Sequence, residues 1–181
     1  MLSNKEIRYI YSLTNDTAFT GFDCGTLCDR ACCQGTDQEM GIYLLPGEEI
    51  ILNTQPWLQF QYQEAEDYDF PPSWNGPVVF AHCRGNCTRH LRPMQCRTFP
   101  AAPHLKDDKL ILVRETIELP YVCPLSPDAL NSQYLANLYL SWQLLMKDYR
   151  IKDLVIWDSK LRLEDNLSLK ILYSASLLQN S

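Results

Sequence analysis

The sequence predicts an α+β fold in which a loop-rich, metal-stabilised cysteine region with short strands packs against C-terminal helices. Eight cysteines all lie within the first 123 of the 181 residues. Short segments with the residue pattern of β-strands occur between them, and the apolar residues with the clearest helical spacing follow the last cysteine. We therefore expect a single domain, residues 1–181, with a cysteine region at 20–125 and a helical region at 126–181.

The composition is that of an ordinary soluble globular protein. The chain is 46% hydrophobic and 21% charged, so it has enough apolar side chains for a core. Its net charge is −6 and it has no block of basic residues, which argues against nucleic acid and an anionic membrane surface as partners. No run of about 18 apolar residues occurs, and the charged first residues do not resemble a secretory signal. We expect a cytoplasmic protein.

The first two thirds of the chain predict short elements separated by turns. Strands are predicted at 41–45, 77–81 and 109–118, a short helix or strand at 4–13, and the start of a helix at 48–52. The intervening stretch 55–75 contains Pro56, Pro71 and Pro72 among acidic and aromatic residues, and it predicts no regular structure. We interpret its aromatic residues as part of a loop packed over the core. The alternative is that they form a binding face.

The last third of the chain predicts helices. Ser126 and Pro127 are typical of a helix start, with serine as the capping residue and proline in the first turn. The apolar residues that follow recur every three or four positions and predict one helix over 130–149: Leu130, Tyr134, Leu138, Trp142, Leu145 and Tyr149. Residues 151–157 predict a short strand or a turn of helix, and 163–178 a final helix.

The first group of cysteines has a spacing that suits metal binding. Its members are Cys24, Cys28, Cys32 and Cys33. In a reducing compartment, closely spaced cysteines are more often metal ligands than disulfides, and gaps of three residues allow two thiolates to reach one metal ion. Adjacent cysteines rarely bind the same tetrahedral metal, so Cys32 and Cys33 favour two sites, or one site and a free thiol.

The remaining cysteines are Cys83, Cys87, Cys96 and Cys123, and we expect all eight to be metal ligands. Gly85 and Asn86 predict a tight turn that brings Cys83 and Cys87 together. Arg92 and Arg97 flank Cys96. Because a metal held by thiolates is negatively charged, these two arginines are predicted to bind the metal group as cations and N–H donors.

The order of these motifs resembles a known family. The pattern Cys-x3-Cys-x3-Cys-Cys, then a cysteine pair, then Arg92-Pro93-Met94-Gln95-Cys96-Arg97-Thr98-Phe99-Pro100, is similar to the zinc- or iron-chelating domain family called YkgJ-like. That family has two-residue gaps in its first motif, whereas this chain has three. The resemblance covers residues 22–125 and implies zinc or an iron–sulfur cluster as cofactor. Some larger members of the family resemble flagellin lysine N-methylases. We do not expect that activity of this shorter chain.

Three functions are compatible with these motifs. The leading hypothesis is a zinc or iron–sulfur protein with a redox or modification-enzyme role. The alternative is a structural zinc protein that acts as a protein-interaction module for a macromolecular partner, and a third hypothesis is a module held by disulfides. No residue is singled out as catalytic, so the sequence leaves open whether the chain is an enzyme. The three histidines, His82, His90 and His104, are interpreted as surface or core side chains.

Overall fold

The computed structural model describes residues 2–15, 27, 29, 31, 41–84, 89–115, 123–126, 129–164 and 168–175. Within these residues helices and strands are mixed, which confirms the predicted α+β class. The helices are α1 (Asn4–Leu13), α2 (Glu48–Leu52), α3 (Met94–Thr98), α4 (Ser132–Leu145) and α5 (Tyr149–Glu164). The strands are β1 (Gly41–Tyr43), β2 (Leu58–Glu64), β3 (Pro77–Cys83), β4 (Ala101–Lys106), β5 (Lys109–Arg114) and β6 (Ile171–Ser174).

Helix α1 is specified by its first residues. Ser3 caps the helix by accepting a hydrogen bond from the Glu6 backbone N–H, and the Glu6 carboxylate accepts one from the Ser3 backbone N–H in return. This reciprocal pair satisfies two backbone donors that a helix start otherwise leaves unpaired. The sequence left helix or strand open here, and the capping pair explains why the segment is a helix.

Strand β3 is the middle of the first antiparallel sheet, whose order is β1-β3-β2. Gly41 pairs with His82 in the register of β1 and β3, and Leu58 pairs with Cys83 in that of β2 and β3. The predictions of β1 and β3 are confirmed. The prediction of irregular structure over 55–75 was wrong for β2, because its alternating Gln and aromatic residues fit a half-buried strand and the prolines all lie outside it.

Strands β4 and β5 form a tight hairpin in the second antiparallel sheet, whose order is β4-β5-β6. Asp107 and Asp108 make its two-residue turn with φ of 50° and 59°, a backbone conformation that aspartate tolerates better than most residues. Helix α5 covers the outer edge of β4. The Ser159 hydroxyl accepts a hydrogen bond of 2.9 Å from the Leu105 N–H, so this edge is not available for pairing.

The C-terminal third differs from its prediction. Asn131 rather than Ser126 caps α4, with its side chain accepting from the Tyr134 N–H at 3.1 Å. The single helix predicted over 130–149 ends at Leu145, and α5 begins after Asp148, whose carboxylate accepts from the Arg150 N–H. Residues 151–157 belong to α5 and are neither a strand nor a single turn.

The final helix predicted over 163–178 was wrong. Helix α5 ends at Glu164, and Ile171–Ser174 is strand β6, which pairs with β5. A strand is favoured here because it buries apolar side chain: Tyr173 lies opposite Leu112 in the sheet and is buried in the core. The region 126–181 is therefore not purely helical, and its last strand joins the sheet that begins in the cysteine region.

One buried cluster connects these layers. It takes Ile7 and Ile10 from α1, Leu112 from β5, and Leu138 and Trp142 from α4. Met94, at the start of α3, belongs to the same cluster and is fully buried. Helix α3, which carries Cys96, is thus part of the central packing.

Candidate metal centre

The structure describes three of the eight predicted cysteine ligands. Cys83 ends strand β3, Cys96 lies in α3 and Cys123 lies in the segment 123–126, and all three are partly buried. The other five lie outside the described residues: Cys24, Cys28, Cys32, Cys33 and Cys87. In the part of the chain that the structure covers, no three Cys, His, Asp or Glu side chains come together in a group suited to a metal ion. The positions of the flanking residues therefore carry the argument.

The first cysteine group lies between two residues that the structure holds near the second group. Before it, the Asn15 side chain accepts a hydrogen bond of 3.0 Å from the Arg97 guanidinium, one residue after Cys96. After it, Gly41 pairs with His82, one residue before Cys83. The residues on the two sides of the first cysteine group thus contact neighbours of Cys96 and of Cys83.

The stretch that carries Cys87 also begins and ends in this region. On its N-terminal side, the Arg84 N–H donates to the carbonyl of Trp57 at 2.9 Å, which continues the β2–β3 pairing past Cys83. On its C-terminal side, the carbonyl of His90 accepts a hydrogen bond from the Arg97 guanidinium. Cys87 is therefore bracketed by residues next to Cys83 and next to Cys96.

Cys123 is linked to the same region through Arg114, the last residue of β5. The Arg114 guanidinium donates to the carbonyl of Leu125 at 2.7 Å and to that of Cys123 at 3.4 Å. The following residue, Glu115, donates its N–H to the carbonyl of Pro100 at 2.9 Å. Since Pro100 is four residues after Cys96, the segments of Cys96 and Cys123 meet at one end of the β4–β5 hairpin.

Helix α3 has only five residues, and side chains from other elements hold it at both ends. At its start, the Met94 N–H donates to the Glu48 carboxylate at 2.7 Å. At its end, the Thr98 hydroxyl accepts from the Trp142 indole N–H at 2.9 Å and donates to the Met94 carbonyl. Because so short a helix is unstable alone, these contacts hold Cys96 in place.

Glu48 is a buried carboxylate that the sequence analysis did not identify. It is 1% exposed and accepts hydrogen bonds from the Leu45 N–H, the Met94 N–H and the Tyr11 hydroxyl. Burial raises the pKa of the Glu48 carboxyl, although these donors and the Arg97 charge act in the opposite direction. Burial, followed by the negative charge of Glu48, raises the pKa of the Tyr11 hydroxyl well above its ordinary value. No local sequence signal marks Glu48, which occupies an ordinary first-turn position of α2.

The two arginines predicted to bind the metal group lie on either side of Cys96. Arg97 is 5% exposed, and its guanidinium donates to oxygens of α1 and of the stretch 90–92. Arg92 is partly buried, and its carbonyl accepts from the Arg97 Nε at 2.8 Å. Binding of a metal group by either guanidinium stays a prediction.

The histidines have separate environments. His82 Nε2 lies 2.9 Å from the Gln61 side-chain oxygen across the first sheet, and His90 is exposed. His104 is buried on β4, and burial lowers the pKa of its imidazole. The structure places these three side chains on different elements.

The charge distribution of this region favours bound anions. Residues 70–106 contain no aspartate or glutamate, although the whole chain has 22 of them. The same stretch contains Arg84, Arg89, Arg92 and Arg97 together with three of the eight cysteines. A cluster of thiolates around a metal is anionic, and nearby cations stabilise it, whereas the Glu48 carboxylate beside the start of α3 opposes it. Zinc and iron–sulfur clusters both take cysteine thiolates as ligands.

Comparison of the chain with models of known protein families, with curated proteins and with solved structures finds no match. Among the described residues, no helix combines the length and the apolar character that crossing a bilayer requires.

Proposed function

We propose that this chain is a metal-binding protein whose cysteines hold zinc or an iron–sulfur cluster at one end of the fold. The observation that carries the proposal is the convergence of the residues flanking the cysteine segments. Asn15 and His90 both bond to Arg97, Gly41 pairs with His82, and Arg114, which binds the Cys123 carbonyl, pairs with Ala101 after α3. These contacts between residues distant in sequence support a site built from several segments.

The charge of this region supports the same proposal. Thiolates must be deprotonated to bind a metal, so the site gathers negative charge as it forms. Between Phe70 and Lys106 the chain itself supplies four arginines and no carboxylate, and the carboxylate that reaches this stretch from α2, Glu48, accepts a hydrogen bond from the Met94 N–H. The resemblance of the Arg92–Pro100 motif to the zinc- or iron-chelating family points to the same two cofactors.

The role of the metal has two candidate forms, as a redox or modification-enzyme centre or as a structural zinc site in a protein-interaction module. One observation favours the structural form. Met94 in α3 is 0% exposed and Cys123 packs against the main core, so the proposed site is continuous with the central packing. Metal bound there contributes directly to folding.

A macromolecular partner for such a module has a candidate surface on the first sheet. Of the aromatic residues in the stretch 55–75, Trp57 and Trp74 are buried, whereas Tyr62 is 66% and Tyr68 44% exposed. Tyr43 and Phe80, whose ring centroids are 4.9 Å apart, extend the surface beside Tyr68, whose ring centroid is 5.7 Å from that of Tyr43. Tyr62 lies on the opposite face of β2, because its neighbour Gln61 is the residue that pairs with Phe80. Exposed tyrosines are frequent at protein interfaces, because one ring provides both apolar area and a hydrogen-bonding group.

The experiment that tests the proposed function is metal and acid-labile sulfide analysis of full-length protein purified without oxygen, together with a visible spectrum. Iron with sulfide and a broad visible band supports the iron–sulfur form. Zinc without colour supports the structural form. A Cys96→Ser variant is expected to lower the metal content, whereas Ser141→Ala, a buried hydroxyl of α4 outside this region, is expected to leave it unchanged. Wild-type protein with neither metal contradicts the proposal.

A further inference from the structure

Arg97 makes an unusual set of contacts for a buried arginine. Its hydrogen-bond acceptors include five neutral oxygens: the carbonyl oxygens of Tyr11, His90 and Arg92, the Thr14 hydroxyl and the Asn15 side-chain oxygen. Three of these acceptors are main-chain carbonyls. The guanidinium thus fixes the path of the backbone in segments far apart in sequence.

These acceptors lie beside three different cysteine segments. Tyr11 lies in the last turn of helix α1, and Thr14 and Asn15 follow the helix, before the stretch that carries the first cysteine group. His90 follows Cys87 by three residues, and Arg97 itself is adjacent to Cys96. One side chain therefore fixes the backbone of residues that flank three groups of proposed ligands in the sequence.

The contacts require the shape of a guanidinium as well as its charge. Nε donates to the Arg92 carbonyl at 2.8 Å, Nη1 to the Thr14 hydroxyl at 2.7 Å, and Nη2 to the His90 carbonyl, so all three nitrogens are used. The plane also stacks on the Tyr11 ring, with 4.3 Å from the guanidinium carbon to the ring centroid. A lysine ammonium is a single point of charge and cannot reach these separated acceptors together.

We infer that Arg97 is a positioning residue of the proposed metal centre, which couples the docking of helix α1 to the residues that flank Cys87 and Cys96 through hydrogen bonds to backbone oxygens. This inference rests on the proposed function. It differs from direct binding of the metal group, because the effect passes through the chain to the thiolates. Since coupling between two equilibria is reciprocal, weakening the contacts of Arg97 with α1 must weaken metal binding by the factor with which metal strengthens α1 docking.

Two variants test the inference from opposite sides of the contact. Arg97→Lys keeps the charge and removes the planar fork. Thr14→Val removes the hydroxyl that accepts from Nη1 while keeping the side-chain shape, and Thr14 is ten residues from the nearest cysteine in the chain. The matched control is Ser159→Ala, which also removes a buried hydroxyl that accepts one hydrogen bond, on α5 beside β4.

The measurement is the dissociation constant for Zn²⁺ of metal-free, full-length protein, by competition with a chromophoric chelator, alongside urea unfolding of each metal-free variant. Arg97→Lys and Thr14→Val are each expected to weaken zinc binding on the order of tenfold or more, the loss typical when groups that orient metal ligands are removed. Ser159→Ala is expected to lose stability and keep the wild-type dissociation constant.

The possible results separate the two proposals. If the wild-type protein binds neither zinc nor iron, the proposed function fails. If the wild type binds zinc and Thr14→Val keeps wild-type affinity, or loses no more affinity than Ser159→Ala at equal stability, Arg97 stabilises the fold alone and the inference is overturned. If Arg97→Lys does not fold, the zinc affinity of Thr14→Val alone decides whether the inference holds.

Discussion

Buried polar residues give the cysteine end of the molecule its geometry. Glu48 accepts hydrogen bonds from α1, from the turn before α2 and from the start of α3, so one carboxylate connects three segments. The Arg97 guanidinium also connects segments distant in sequence, as a positively charged hydrogen-bond donor. Arg97 was predictable from the sequence, because it is adjacent to a cysteine. Glu48 was not, because a carboxylate that reaches α3 from 46 residues away leaves no local pattern.

We predict that Glu48→Ala is strongly destabilising. It leaves the Leu45 N–H, the Met94 N–H and the Tyr11 hydroxyl buried without their acceptor, and one unsatisfied buried donor costs about 1–3 kcal/mol. Urea denaturation should show a loss of about 3 kcal/mol or more in the free energy of unfolding. Glu66→Ala, at an exposed position, should change it by less than about 0.5 kcal/mol. Similar losses in the two variants would refute the role of Glu48.

Asp158 gives the stability a pH dependence. Burial raises the pKa of Asp158 from 3.8 to about 6, with Arg162 opposing the rise and Glu115 adding to it. The native carboxyl keeps its proton at pH values where the unfolded one has lost it. The contribution of Asp158 to stability is therefore fully present below the unfolded pKa and is lost as pH rises from about 4 through about 6.

We predict that Asp158→Asn stabilises the protein at pH 7.5 and not at pH 4. Asparagine resembles the neutral carboxyl, so the variant lacks the cost of ionising this group in the folded state. At about 1.4 kcal/mol per pKa unit, the gain at pH 7.5 is about 2–3 kcal/mol. Urea unfolding of both proteins at the two pH values measures it, and an equal difference at both would contradict the prediction.

Elements with a strong local pattern were predicted, and elements defined by distant contacts were not. Strands β1 and β3 carry continuous apolar residues next to turn signals, and both are confirmed. Strand β6 is short and follows α5, and only pairing with β5 distinguishes its Leu172 and Tyr173 from the face of a helix. The same limit applies to the site. The sequence supplied cysteines and arginines, whereas the bonds of Asn15 and Arg114 that bring their segments together are visible only in three dimensions.

The junction between α1 and α2 depends on a glycine. Gly47 has φ of 94°, in the left-handed region, and a Cβ at this position would overlap the side chain of Ile7 in α1. Gly76 has a similar φ of 95°, but a Cβ there would meet nothing within 4 Å. The two glycines share the backbone requirement and differ only in the close approach.

We predict that Gly47→Ala destabilises the protein more than Gly76→Ala does. Both variants carry the strain of alanine at positive φ, about 1–2 kcal/mol. Gly47→Ala must also displace Ile7 from a packed core, which adds about 1–3 kcal/mol. Thermal and urea unfolding of the two variants measure the difference, and equal losses would mean that α1 moves aside without cost.

At the scale of the whole molecule, the segments of Cys96 and Cys123 meet at one end of the second sheet. Ala101 and Arg114 begin and end the β4–β5 hairpin beside α3, and the Asp107–Asp108 turn lies at its other end. Six residues of antiparallel strand separate these ends by about 20 Å. Among the described residues, Leu105 near the turn end is bonded to Ser159 of α5, whereas Arg162 in the last turn of α5 forms an ion pair with Glu115 at the α3 end.

We predict that metal removal loosens one end of the molecule and not the other. Hydrogen–deuterium exchange of metal-bound and metal-free protein should differ most in α1 and in residues 89–98, because Arg97 joins these segments. Exchange in the first half of α5 and at the Asp107–Asp108 turn should stay nearly equal, since their hydrogen bonds persist. An equal rise over the whole chain would contradict this division.

The contact between Trp142 and Thr98 also has an optical consequence. Trp142 is 2% exposed, and its indole bonds to the five-residue helix that carries Cys96. An iron–sulfur cluster absorbs light at the wavelengths of tryptophan emission and would quench a neighbouring indole, whereas zinc absorbs no such light. The fluorescence of Trp142 is obtained by subtracting the spectrum of Trp142→Phe from that of the wild type. A weak Trp142 signal indicates an iron–sulfur cluster and a strong one indicates zinc, so this residue distinguishes the two cofactors in dilute solution.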